Sequence, residues 1–552
     1  MALQPLTPTS SAQTFENMSV LMVEDNMGMR GTIKAMLNGF GITKIEIAQR
    51  AAEAHKKIAT RQFDLVLCDY MLDMDGMTGQ ELLEEARLTK VLPPETIFIM
   101  TTAERVYEKV VAAAEYGPDD YIIKPFSPDV LRMRLLRAIE RKQSLADVNK
   151  CIGKRDLDAA IGACDTGMKQ NPRFVVDYLR IKAEVFLQQE RNDDAQGIYE
   201  DILKHKAVPW ARFGMAQVLK STEQLEQAEA ELKELIAENP LFLRAYDSLA
   251  KIQRDQGNFT DAQQTLQKAA DRSNSIARVL EIGELARQNG DLVTAEIMLT
   301  KAVSRAGVSE IVKPSHVLEL ATVKSEMGKD EEALSVLVQG KRAMPGMGMG
   351  LTATVVEARI YAEKGNHEHA RKMLDQALEQ IQNETMSISS ELAPEVIKAC
   401  LILDHPQTMN LAQMILEQHS DDKLRAIIEN LFIRHGKSNA FANASEEALK
   451  AVTLINNNGV QAASRGDFIT AVGLLTDAYT KMPGNMRVGV NLCKILIASL
   501  ERQGFAPQYA AQAEEILAKL ATVQETEIRQ QVQVIKQKLI QILKQQGQLW
   551  RN

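Results

Sequence analysis

Aromatic residues make up only 5% of this 552-residue chain, with just 2 tryptophans, while Ala, Leu, Gln and Glu are abundant. That mixture leans toward helix. Cysteine is sparse as well: Cys68, Cys151, Cys164, Cys400 and Cys493 are scattered, odd in number and never spaced as CxxC. This argues against a disulfide framework or a zinc finger and for buried, reduced thiols. No run approaches the roughly 18 apolar residues of a membrane-spanning helix. No long Lys/Arg run occurs either, and the formal net charge is −8. A basic surface for broad phosphate-backbone binding is therefore missing, which disfavours nucleic acid as the main partner but leaves a local basic patch open. The opening "MALQPLTPTSSAQTFEN" has no positive start and no apolar core. It reads as a flexible polar tail over 1–16, not a signal peptide. The expected location is cytoplasmic.

With 552 residues the chain is expected to be multidomain. Over residues 17–142, short apolar runs alternate with helical patterns. "SVLMVE" (19–24), "KIEIA" (44–48), "LVLCD" (65–69), "TIFIMT" (96–101) and "YIIK" (121–124) read as strands buried on both faces of a parallel sheet. The helical stretches include "MGMRGTIKAMLNGF" and "RVYEKVVAAAEYG". The alternation predicts an α/β, doubly wound (βα)5 domain. Ligands bind such sheets beyond the carboxyl ends of the strands. Glu24 and Asp25 end the first strand, Asp69 the third, Thr101 and Thr102 the fourth, and Lys124 the fifth. Clustered carboxylates repel unless a cation joins them, and oxygen ligands in an open site suit Mg2+. A lysine opposite would balance a further anion, as phosphoryl transfer requires. A carboxylate can itself be the nucleophile and form an aspartyl-phosphate.

The motifs "VEDN", "LCDYM", "MTTAE" and "DYIIKPF", in that order at strand ends, resemble the receiver domain of two-component response regulators, a flavodoxin-like fold. The resemblance covers about a quarter of the chain. It implies that Asp69 is the phosphoacceptor, that Glu24 and Asp25 hold Mg2+ with Asp69, and that the Met71 backbone carbonyl is the remaining protein ligand. It implies that Lys124 pairs with the phosphoryl group, with Pro125 following, often through a cis bond. The switch hydroxyl is Thr101 or Thr102; the family's spacing favours Thr102. Tyr121 matches the aromatic that reorients with it. Asp73 departs from the pattern, since proline is common there, and reads as an exposed loop acid. Asp75 and Gly76 read as loop formers.

Residues 143–552 are internally repetitive. An Ala, a large apolar residue four later and a small or apolar residue seven later recur at Ala160/Cys164/Gly167, Ala195/Tyr199/Ile202, Ala228/Leu232/Leu235, Ala262/Leu266/Ala269 and Ala295/Leu299/Ala302. The pattern continues at Ala333/Leu337/Gly340, Ala370/Leu374/Ala377 and Ala471/Leu475/Ala478. The first five are spaced by 35, 33, 34 and 33 residues. Turns such as "QGNFTDA" and "SRGDFITA" precede them, with glycine closing one helix and a capping residue opening the next. The unit is an antiparallel helix pair whose apolar stripe is buried by stacking on neighbours. It resembles the tetratricopeptide repeat over about 150–380 and 455–490, an all-α solenoid. Residues 384–455 are helical but off-pattern, either divergent repeats or an insert. "AMPGMGMG" (343–350) reads as a loop. In the C-terminal helices of 491–552, Ile528, Val532, Ile535, Leu539 and Ile542 form a short heptad seam, either a cap on the solenoid or a self-association surface.

At the junction, Ser127 and Pro128 open a stretch without Pro or Gly until Gly153, so the last receiver helix is expected to run directly into the first repeat. After residue 142 we find no P-loop, dinucleotide motif, histidine-kinase block or helix-turn-helix. The expected function is that of a phosphorelay response regulator whose repeats bind a protein or peptide. Its input partner would be a histidine kinase or phosphotransfer protein. Enzymatic activity is expected only as self-phosphorylation and self-dephosphorylation. A homodimer through the receiver is a further expected assembly, with Asp119, Asp120, Arg132 and Arg134 placed to pair across it. The alternative is a constitutive scaffold whose receiver serves only for docking. A transcription factor is disfavoured by the negative charge and the missing DNA-reading motif.

Overall fold

The structure, a computed structural model, describes residues 15, 17–72, 77–103, 117–272, 275–307, 309–346, 348–383, 388–419, 421–482, 485–520 and 526–545. Asp73, Asp75, Gly76 and the helix expected at 105–117, except Gly117, lie outside them. So does all of the expected tail except Phe15, which corrects that expectation locally. Phe15 is 1% exposed, and its ring lies 5.9 Å from that of Phe40.

Two compact units emerge, Met1–Lys313 and Pro314–Asn552. The first begins with a five-stranded, all-parallel sheet of order β2-β1-β3-β4-β5, made of β1 (Ser19–Val23), β2 (Lys44–Ala48), β3 (Leu65–Asp69), β4 (Ile97–Thr102) and β5 (Asp120–Ile123). The central strands β1, β3 and β4 are buried almost throughout, while the edges β2 and β5 are only half-buried. Uninterrupted apolar runs thus sit where helices cover both faces. Among the described residues, the covering helices are α1 (Met27–Gly39), α2 (Ala51–Thr60), α3 (Gly79–Leu88) and the start of α4 (Pro128–Gly153). Because β1 lies between β2 and β3, the chain reverses direction across the sheet there. The crevice beyond the carboxyl ends of β1 and β3 is the natural ligand site.

α4 is one helix of 26 residues, capped by the Ser127 side chain with Pro128 in its first turn. It is about 39 Å long and runs through the expected boundary at 142/143 without interruption. The Arg141 guanidinium bonds Asp177 Oδ1 through Nε (3.1 Å) and Nη2 (2.7 Å). It also lies 3.6 Å from Asp119, which Lys142 approaches to 3.1 Å. Arg134 pairs with Asp120 at 2.8 Å. Both acids and Arg134, expected to pair across a dimer, are engaged within one chain.

From α4 onward the first unit consists of helix pairs: α5 (Leu157–Gln170), α6 (Val175–Gln188), α7 (Asn192–His205), α8 (Pro209–Ser221), α9 (Leu225–Glu238), α10 (Leu243–Asp255), α11 (Phe259–Ala270), α12 (Ile276–Gln288) and α13 (Leu292–Val303). Consecutive helices pack on one another. The predicted anchors are buried, Ile202 alone being half-exposed. Five residues before each anchoring alanine, the backbone is left-handed. Glycine holds that position at Gly257, Gly290, Gly328, Gly365 and Gly466, but Arg155, Glu190 and Glu223 hold it in the first three repeats. The fold imposes this turn even where the residue is unfavourable for it.

The second unit comprises α14 (Pro314–Glu326), α15 (Asp330–Ala343), α16 (Met349–Glu363), α17 (His367–Asn383), α18 (Ala393–Ile402), α19 (Thr408–Gln418), α20 (Asp422–Arg434) and α21 (Ser438–Ser464). It ends with α22 (Phe468–Lys481), α23 (Met486–Gln503), α24 (Pro507–Leu520) and α25 (Thr526–Gln545). Over 384–455 the helices pack on alternate partners, α18 on α20 and α19 on α21, as well as on their neighbours. Gly436 repeats the left-handed turn, and buried Phe441 takes the alanine position five residues on. α21 is 27 residues long and also pairs with α22. The heptad residues Ile528, Val532, Ile535 and Leu539 are buried against α23 and α24, so the seam is a cap. Met344 and Met349, at the ends of the 343–350 loop, are also buried.

Candidate functional site

The sheet brings the predicted residues to one edge. Glu24 and Asp25 follow β1; Asp69 closes β3 and pairs in register with Thr101. Lys124 follows β5, with its amide donating to the Thr102 carbonyl at 2.7 Å. The Lys124–Pro125 bond is cis. Lys124 Nζ donates to Glu24 Oε2 and Asp69 Oδ2, both at 2.7 Å. Among the described residues, Glu24, Asp25 and Asp69 offer carboxylate oxygens within 4.8 Å of one another.

Burial pushes the Glu24 and Asp69 carboxyls above their ordinary range. The hydrogen bonds from Lys124 offset this only in part, and neighbouring acids add to it, Asp69 for Glu24 and Asp25 for Asp69. Burial works against the Lys124 ammonium, but its bonds to Asp69 and Glu24 win and raise its pKa. Three acids thus cluster beside one lysine, all of the donors are oxygens, and Glu24 and Asp69 carry an uncompensated desolvation cost. A hard divalent cation fits this donor set. Met71 is 48% exposed, and its thioether is too soft for a hard cation, so its carbonyl is the candidate ligand.

Strand alternation bears on the two threonines. Phe98 and Met100 face the same core as Tyr121, which places Thr102 on Tyr121's side. Thr101 lies on the other side, its hydroxyl 3.5 Å from the Cys68 carbonyl.

Two supporting residues escaped the sequence reading. Arg30 Nη1 donates to the carbonyls of Glu24 (3.0 Å) and Asp25 (2.8 Å), clamping the acidic turn. Its place one helical turn into α1, just past the acids, was the available signal. Gly79, the first residue of α3, sits on the Asp69 end of β3. Its amide donates to the Tyr70 carbonyl at 2.8 Å. A Cβ there would lie 2.3 Å from the Asp69 carbonyl oxygen and 2.9 Å from Cys68 Sγ. Gly79→Ala is therefore expected to destabilise the receiver by about 1–3 kcal/mol through overpacking against backbone. Hydrogen exchange of β3 in the full chain checks this; unchanged protection refutes it.

Cys68, Cys164, Cys400 and Cys493 are free and buried. Burial pushes the Cys164 thiol up to about 11 and those of Cys400 and Cys493 up to about 12. These thiols are inert packing groups.

A family model of the response regulator receiver domain matches residues 20–136, and tetratricopeptide repeat models match 186–252 and 355–383. The chain is similar to the chemotaxis protein CheY of Pseudomonas aeruginosa, with 32% identity over 124 residues that make up 22% of this chain and 98% of that protein. It is likewise similar to chemotaxis protein CheY-3 of Vibrio cholerae, with 32% identity over 23% of this chain and 95% of that protein. A solved Francisella response regulator receiver domain is 29% identical, covering 23% of this chain and 98% of the other at a TM-score of 0.20. No described helix is long and apolar enough to cross a membrane. By its α/β sheet, its strand-end residues and these matches, the chain belongs to the response regulator receiver family, with its N-terminal receiver domain followed by tetratricopeptide repeats.

Proposed function

We propose that this protein accepts a phosphoryl group on Asp69 from a histidine kinase or phosphotransfer protein, and that this changes what its repeats bind. In this reading 17–142 is the receiver and 143–552 the binding region. The observation that carries it is the Lys124 ammonium at 2.7 Å from both Glu24 and Asp69, beside Asp25. An Asp69 oxygen would form the new P–O bond while the P–N bond of the donor phosphohistidine breaks, the electron pair staying on the departing nitrogen. Glu24, Asp25 and Asp69, with the Met71 carbonyl, would hold Mg2+, which supplies charge neutralisation of the phosphoryl oxygens. Lys124 positions Asp69 and would pair with the incoming anion. Thr102, on the Tyr121 face of β4, is the hydroxyl suited to swing toward a phosphorylated Asp69.

The test is incubation of the full chain with acetyl phosphate, with and without Mg2+, followed by intact-mass measurement. Mg2+-dependent addition of one phosphoryl group supports the reading. No addition from either acetyl phosphate or a phosphorylated phosphotransfer protein favours a constitutive scaffold, in which the receiver only docks.

A further inference from the structure

α3 differs from the described receiver helices α1 and α2 in being covered twice. α1 buries only Ile33 and Leu37, leaving its polar side to solvent. In α3, eight consecutive residues from Gly79 to Ala86 are buried. Leu82, Leu83 and Ala86 face the receiver core. Gln80, Glu81, Glu84 and Glu85 are polar, and residues 81, 84 and 85 share one helical face. What covers that face is the repeat region of the same compact unit. Leu241, after α9, packs on both the receiver core and the repeat core. Glu81 lies 3.7 Å from Arg305, just past α13, and also feels the charge of Lys301. Glu84 is hydrogen-bonded to Ser275 at the start of α12 and faces the Arg278 guanidinium, which is held by two 2.8 Å bonds to Asp247 of α10. A basic surface of the repeats, Arg278, Lys301 and Arg305, therefore meets an acidic helix of the receiver.

The fit is incomplete. Glu85 is 3% exposed, and its Oε1 accepts no hydrogen bond from the described residues. Burying carboxylates with partial compensation is costly, so the contact is poised to open. The first residue of this same helix rests on the Asp69 carbonyl, where a Cβ would not fit.

We propose that the basic surface formed by Arg278 of α12, Lys301 of α13 and Arg305 just past it is a docking site for an acidic amphipathic helix, occupied here by the receiver's own α3 as an internal ligand. Rearrangement at Asp69 withdraws α3 and frees the surface for a partner helix with carboxylates at the same i, i+3, i+4 spacing. This release step rests on the phosphorelay reading; the docking itself does not.

The probe is a fluorescent peptide of residues 77–92, titrated into the full chain. Glu81→Lys/Glu84→Lys, which sets like charge against Arg305 and Arg278, is expected to bind the peptide about tenfold or more tighter than wild type, since the site is no longer blocked. Adding Arg305→Glu to that variant should remove the gain. Wild type with Mg2+ and beryllium fluoride, a phosphoryl mimic, should show the same gain. Equal peptide binding by wild type and a double variant with unchanged circular dichroism overturns the docking site. If the double variant misfolds, hydrogen exchange of α3 in wild type decides. The phosphoryl mimic should speed exchange about tenfold or more if release opens α3, and no change overturns the release step; Arg305→Glu, which removes a cation facing Glu81, should speed it likewise, and no change there overturns the docking. Failure of Asp69 to take a phosphoryl group defeats the phosphorelay reading alone and leaves the charge-variant arm standing.

Discussion

Asp69→Asn is expected to abolish Mg2+-dependent phosphoryl incorporation, reducing it to background. An amide oxygen is a poor nucleophile, and the substitution also removes one of the three carboxylates within 4.8 Å that would hold the cation. The change is nearly isosteric, so loss of folding should not mimic it. Burial already holds the Asp69 carboxyl above its ordinary range, and a neutral amide avoids that cost. Without Mg2+ the variant should therefore unfold at the same temperature as wild type or higher. With Mg2+, wild type should gain thermal stability by mass action and the variant much less. Intact-mass measurement after acetyl phosphate treatment checks the first expectation, with hydroxylamine lability identifying an acyl phosphate. Equal incorporation into Asp69→Asn would move the phosphoacceptor elsewhere and defeat the proposed role of Asp69.

The second large effect is expected far from the receiver. Arg359 of α16 is 1% exposed. Its Nη1 lies 2.5 Å from Glu363 Oε2, and its Nε lies 2.5 Å from Glu395 Oε2 in an ion-pair contact without hydrogen-bond geometry. Lys398 holds the other oxygen of Glu363 at 2.8 Å. Arg359→Ala would keep a cation for Glu363 but remove the guanidinium from Glu395, whose side chain is only 13% exposed. Removing one partner of a buried pair costs about 3–5 kcal/mol, because the remaining charge stays desolvated. Arg359→Met/Glu395→Met should recover most of the loss, since an apolar pair of similar volume leaves no buried charge behind. A chain with two compact units has no single global unfolding free energy, so hydrogen exchange of α16 and α18 is the suitable measurement. A cost below about 1 kcal/mol, the range of an exposed pair, would show that the pair is not desolvated in solution.

Much of this protein was legible in its residues because local periodicity carries the information. Apolar runs of strand length with an acid, hydroxyl or lysine at the end predicted which side chains meet at the sheet edge. The structure places Glu24, Asp69 and Lys124 in direct contact there. An alanine with its companions four and seven residues later predicted the buried face of each repeat helix, and those positions are buried except Ile202. Glycine marked the left-handed turn wherever glycine was present. It could not mark Arg155, Glu190 or Glu223, where the packing of a whole repeat overrides the residue's own backbone preference.

What only the tertiary structure decided is which distant partner each exposed-looking group meets. Asp119, Asp120 and Arg134 read as free to face a second chain, yet α4 passes close enough to satisfy them internally. The heptad seam of α25 had two possible partners by pattern alone, and α23 and α24 occupy it. The glutamates of α3 form an i, i+3, i+4 row of acids, which specifies a surface but not what covers it. Arg278 and Arg305, nearly 200 residues or more away in sequence, could be assigned to that face only once the chain had folded. Periodicity is set by neighbours a few bonds apart, whereas pairing across such separations depends on loop closure and packing of the whole unit.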